Sequence, residues 1–123
     1  MGLLIIYLSI LLKLTLLGRS HIDPLTAVFR GWFPFKEYYK WNIDAIYNLF
    51  LFTPLTFFLN KSFPAFAKKN LTKRMLVISF LISLFIEINQ LIFEIGTFQI
   101  ADLVYNSLSG VFGGWLYRFL YKK

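Results

Sequence analysis

The stretch MLVISFLISLFIEINQLIFEI, Met75–Ile95, carries two patterns at once. At about 1.5 Å of rise per residue it is long enough, and apolar enough, to cross the hydrocarbon of a bilayer, which takes roughly 17–25 residues. Yet Ser79, Ser83, Glu87, Gln90 and Glu94 recur at helical spacing and so fall on one face. An ionised carboxylate near mid-bilayer costs about 2.5–3.5 kcal/mol even on the mildest insertion scale. A helix of this kind needs partners that cover its polar stripe while its other faces meet lipid.

Downstream, the short turn Gly96-Thr97-Phe98-Gln99 leads into a second apolar stretch, Ile100 to Tyr121. There Asp102, Asn106, Ser109, Gly110 and Gly113 share a face, and Gly110 and Gly114 form a GxxxG pair that allows close helix approach. Upstream lies Asn60 to Arg74, the most cationic connection, with Lys61, Lys68, Lys69, Lys73 and Arg74. Before it, Ile43 to Leu59 reads as a helix with Asp44 and Asn48 one turn apart. Pro54 inside it lacks a backbone donor and is expected to kink it.

Arg19 to Asn42 is rich in Trp, Tyr, Gly and Pro, and is expected to lie against the headgroup zone, where an apolar ring meets a polar edge. The first apolar stretch, Gly2 to Gly18, is interrupted only by Lys13, whose long side chain is expected to snorkel or pair with a carboxylate. No basic residue precedes it and no small-x-small site follows, so a retained helix is expected rather than a signal peptide. The predicted fold is all-α: a single domain over residues 1–123, an integral membrane bundle of four transmembrane helices at about 2–18, 43–59, 75–95 and 100–121.

Composition agrees. Of the 123 residues, 58% are hydrophobic and only 15% charged, against about 45–50% and about 25% in soluble domains. The net charge of +7 sits mainly between the apolar runs, which favours basic loops fixing a membrane topology over nucleic-acid binding. With four spans, the Asn60 to Arg74 loop shares a side with Arg118, Lys122 and Lys123, and outweighs Arg19, Arg30, Lys36 and Lys40 opposite. Both termini are therefore expected in the cytoplasm. The sequons at Asn60 and Asn70 then lie on the wrong side for glycosylation.

In that arrangement Asn48, Gln90, Asp102 and Asn106 fall in the outer half of the bundle and Glu87 near its middle. They are the candidate residues of a polar pocket opening outward, with Pro54, Gly110 and Gly114 shaping the packing. The plainer alternative is that they only hydrogen-bond across helices, at roughly 0.6 kcal/mol per pair. For the serines and Gln90 that alternative is the better one. A Gln in place of Glu87 would hold helices together without the cost of a carboxylate, so Glu87 argues for function. The chain has no Cys and one histidine, His21, and supplies neither a nucleophile–base pair nor a metal constellation. No catalytic residue, metal or cofactor is expected.

Three segments together resemble the VanZ-like family of small bacterial membrane proteins. Asn48 to Leu55 (NLFLFTPL) is similar to the family's Asn-then-Phe-x-Pro-Leu helix, and Ser83 to Gln90 (SLFIEINQ) to its Ser-x-x-x-Glu-x-x-Gln helix. Gly96 to Gly110 (GTFQIADLVYNSLSG), continuing to Gly114, resembles its closing acidic turn and Asn-x-x-Gly helix. The chain departs at Gln99 and Ala101, where the family's turn usually carries further Asp, and at Ser109, where Gly is usual.

The resemblance implies a bacterial cell-envelope protein associated with lower susceptibility to teicoplanin-type glycopeptide antibiotics. Its expected partners are the lipid bilayer and a lipid-linked envelope precursor or lipoglycopeptide, but no nucleic acid. Three rivals are a small transport or accessory subunit using intramembrane carboxylates, a lipid-embedded enzyme acting on envelope precursors, and a helper that docks a second copy or another membrane protein through Gly110 to Gly114.

Overall fold

The computed structural model describes residues 1–17, 36–37, 40–41, 43–95 and 100–121, with the side chains of Leu17, of 36–49 and of Ala101 outside that description. Helix α1 spans Gly2–Leu12 and passes into a π turn over Lys13–Leu17. Two short strands, β1 (Lys36–Glu37) and β2 (Lys40–Trp41), pair antiparallel. Then follow α2 (Ile43–Ser62), a 3-10 turn (Pro64–Ala67), α3 (Leu71–Ile92) and α4 (Ile100–Tyr121). The fold is all-α apart from that strand pair.

Successive helices run up and down. Tyr7 of α1 donates its hydroxyl to the Leu51 carbonyl, and its ring meets Phe58, while Thr15 at the other end of α1 meets Gln90 of α3. Around the bundle the order is α1, α2, α4, α3, and α4 is clasped between α2 and α3. One apolar cluster joins α1, α2 and α3 through Leu4, Leu11, Phe52, Leu55 and Ile86. A second, made of Ala67, Leu71, Met75 and Val111, closes the end where α2 passes into α3.

Polarity is arranged inside out. Ile5, Ile6, Ile10 and Leu14 of α1, Leu81, Phe85 and Ile92 of α3, and Val104, Leu108, Phe112 and Phe119 of α4 are all exposed, whereas Thr56, Asn60, Ser79, Ser83, Glu87, Gln90, Asn106 and Ser109 are buried. Water would penalise such a surface heavily, and lipid would not. By length and composition α3 can cross a membrane, and it alone does so clearly among the described residues. The apolar helix of α1 is shorter. Asp102, Asn106, the serines and the glycines dilute α4.

Several boundaries differ from those read from the sequence. The first helix ends its regular turns at Leu12 rather than Gly18. Helix α2 continues past Leu59 to Ser62, because Asn60 is an inward-facing residue whose amide donates to Thr56 O at 2.7 Å. Helix α3 begins at Leu71, after Asn70 in a left-handed conformation (φ 51°) that Asn tolerates well. The long basic connection thus shrinks to a tight turn, with Lys61, Lys73 and Arg74 on helix ends.

Helix α3 also stops at Ile92, short of Ile95. Glu94 adopts φ 54°, its N–H reaches Leu91 O, and the Ile95 N–H reaches Gln90 O at 3.0 Å. That pair of bonds is a Schellman motif, which satisfies the carbonyls a helix end leaves open. Glu94 therefore leaves the polar stripe and is exposed. Lys13 is exposed on the outside of the bundle. The aromatic Arg19 to Asn42 segment falls, apart from its strand pair, outside the described residues, as does the Gly96 to Gln99 turn.

Candidate functional site

Helices α3 and α4 are antiparallel and in register through small or polar residues. Met75 packs on Gly114, Ser79 on Gly110, and Ser83 accepts a hydrogen bond from Asn106 Nδ2 at 2.8 Å. Each step of four along α3 is matched by four back along α4. One further step sets the Glu87 level of α3 beside the Asp102 level of α4. The spacing of the polar stripe is thus the device that aligns the two helices.

Glycines bring the backbones together. A Cβ at Gly113 would stand 2.9 Å from the Thr53 carbonyl carbon, so α2 and α4 touch main chain to main chain there. A Cβ at Gly110 would meet Ser79 Cβ at 2.5 Å, and one at Gly114 would meet Met75 Cγ at 2.6 Å. The Gly110 and Gly114 pair is covered by α3 of the same chain. Pro54 lies inside α2, which runs through it to Ser62.

Helix α2 contributes hydroxyls that the sequence reading passed over. Thr53 Oγ1 bonds Ser109 O at 3.1 Å and Ser109 Oγ at 2.9 Å, and Thr56 Oγ1 donates to Gly110 O at 2.7 Å. Asn60 Nδ2 also lies 3.1 Å from Met75 Sδ. Thr53, Thr56 and Asn60 sit three and four apart, the same helical signal that marked α3, but a helix ended at Leu59 hides it.

Of the candidate pocket residues, Glu87, Gln90 and Asn106 are buried at 3, 3 and 4% exposure, while Asp102 is half-buried. Gln90 Nε2 donates to Thr15 O at 2.8 Å, satisfying a carbonyl at the open end of α1. Asn106 spends its amide nitrogen on Ser83, and its Oδ1 has no hydrogen-bond partner, in the same way as Asn60 Oδ1 and Ser79 Oγ. The side chain of Asn48 lies outside the described residues. No group of three or more His, Cys, Asp or Glu able to hold a metal occurs among the described residues.

A family model for VanZ/LLP1 matches residues 4–121, covering the first helix through the last. The chain belongs to the VanZ/LLP1 family. Nothing among curated proteins or solved structures matches it. Within this VanZ-like chain, the three segments that carried the resemblance meet in the bundle: Thr53 and Pro54 lie in α2, Ser83 to Gln90 in α3, and Asn106 to Gly114 in α4. The closing helix of the family pattern is the central one, gripped on both sides through its glycines. Ser109, where Gly is usual, has a use here, since its hydroxyl takes part in the bond with Thr53.

Proposed function

We propose that this VanZ-like protein is a multi-pass protein of the bacterial cell membrane that lowers susceptibility to teicoplanin-type glycopeptides by binding an envelope molecule, without chemistry of its own. The binding site is the polar cluster of Glu87, Gln90, Asp102 and Asn106, and it opens toward the outer leaflet. The observation that carries this reading is Asn106: a buried amide with its nitrogen committed to Ser83 and its oxygen left as a spare acceptor, one helical turn from Asp102. A buried acceptor without a donor costs about 1–3 kcal/mol, and a ligand bearing hydroxyl or amine groups offsets that cost.

Orientation follows from charge. The chain start, the turn after α2 and the end of α4 lie at one end of the bundle, and the exposed Lys61, Lys68, Lys69, Lys73, Arg74 and Arg118 are there with them. That end is the cytoplasmic one on the positive-inside rule, which places both termini inside and Asp102 toward the outside. A lipid-linked cell-wall precursor or a lipoglycopeptide has the amphiphilic shape this arrangement suits. Transport through the bundle is the second reading. The close contact of Ser79, Gly110 and Thr56 below Asn106 speaks against it, because it leaves little room between the cluster and the basic end.

The test is deletion in the native host, followed by complementation with Glu87→Gln and Asn106→Leu at matched protein levels. The expected result is lower resistance to teicoplanin on deletion, restored by the wild type and by neither variant. Full restoration by both variants overturns the cluster as the working part. An unchanged profile on deletion overturns the resistance role itself.

A further inference from the structure

We propose that the basic end of the bundle is a recognition surface for anionic phospholipid headgroups. Lys61 at the end of α2, Lys68 and Lys69 in the turn, Lys73 and Arg74 at the start of α3, and Arg118 near the end of α4 are all exposed. The acidic residues with described side chains, Glu87, Glu94 and Asp102, lie at the opposite end, so nothing acidic among them shares this surface. Net charge alone does not require such a separation.

Lys73 and Arg74 occupy the first turn of α3, which has no acidic residue and no side-chain cap, and there the helix's own dipole disfavours cations. The same end carries tyrosines, which suit the membrane interface: Tyr117 is stacked on Tyr121 at 5.1 Å and edge-on to Phe57. Arg74 also donates to Ala65 O at 3.3 Å, which fixes the turn carrying Lys68 and Lys69 over the helix start. Cations just beyond an apolar belt meet the phosphates of the surrounding lipid before any other polyanion. Nucleic acid or an acidic protein would have to compete with that leaflet.

Trp115, exposed at this end with its Nε1 on Thr72 Oγ1 at 3.0 Å, is a built-in reporter. The full chain with Trp32→Phe and Trp41→Phe, in bilayers of phosphatidylcholine and phosphatidylglycerol, is quenched with brominated forms of each lipid. The expected preference for phosphatidylglycerol at Trp115 is roughly fivefold per cation engaged. It shrinks toward unity at high salt, falls in the triple variant Lys68→Gln, Lys69→Gln, Lys73→Gln to the smaller preference that Lys61, Arg74 and Arg118 sustain, and survives undiminished in the matching triple Lys→Arg variant. Equal quenching by both lipids overturns the proposal. So does a preference that is undiminished in the Gln variant, or one that RNA or an acidic polypeptide abolishes by binding the same lysines more tightly. The proposal rests on the bilayer reading of the fold, and the two fail differently: a chain that partitions into the aqueous phase sinks that reading, while indifference to headgroup charge sinks this one.

Discussion

Asn106 of α4 donates to the hydroxyl of Ser83 on α3 across 2.8 Å, and both side chains are buried. In lipid such a bond replaces no water contact, yet measured couplings between membrane helices average about 0.6 kcal/mol and seldom pass about 1.7, because the unfolded helices also find partners. A double-mutant cycle of Ser83→Ala and Asn106→Leu, read by unfolding in mixed micelles, is expected to give a coupling of that size. The single Ser83→Ala change costs more than the coupling alone, since it strands the Asn106 nitrogen as well.

Gly113 and Gly114 are neighbours that predict different costs. A methyl at Gly113 runs into the Thr53 main chain, which cannot yield without moving α2. A methyl at Gly114 meets the flexible side chain of Met75. Gly113→Ala is expected to destabilise by about 1–3 kcal/mol as an overpacking change, and Gly114→Ala by clearly less. Denaturation midpoints of the two variants, measured side by side in one detergent, check the order.

Glu94 holds a left-handed backbone that suits glycine, at a cost of roughly 1–2 kcal/mol for an L side chain. Glu94→Gly relieves it and keeps the Schellman bonds, so the variant is expected to be as stable as the wild type or up to about 1 kcal/mol more stable. Thermal unfolding of the purified protein decides this. A marked loss of stability means that the Glu94 side chain does more than end a helix.

Gln90 holds the end of α1 through the Thr15 carbonyl. Gln90→Leu removes the donor and leaves that carbonyl open, while the rest of α3 keeps its packing. Hydrogen exchange in residues 13–17 is expected to quicken, with exchange in α3 and α4 unchanged.

The sequence made the α3 stripe legible because Ser79, Ser83, Glu87 and Gln90 interrupt an otherwise apolar run at helical spacing, and all four are buried. The glycines of α4 were legible as a packing face for the same reason. Glu94 was not, since nothing in the residue types marks a helix stop two residues before the first glycine, and only the backbone reveals the left-handed turn. The α2 hydroxyls Thr53 and Thr56 were passed over because the third member of their stripe, Asn60, precedes a basic run and reads as the start of a loop. Asn60 shows the opposite, a helical residue facing inward under the lysines that follow it. Asp44 and Asn48, one turn apart on α2, lie outside the described side chains.

The polar faces of α3 and α4 meet inside the bundle. The chain contains no cysteine, so pairs can be introduced without background. In native membranes, Ser83→Cys with Asn106→Cys is expected to form an intramolecular disulfide on mild oxidation, while Phe85→Cys with Leu108→Cys, placed on exposed faces, is not. Absence of the first bridge together with formation of the second would mean that the polar faces turn outward to lipid and do not meet.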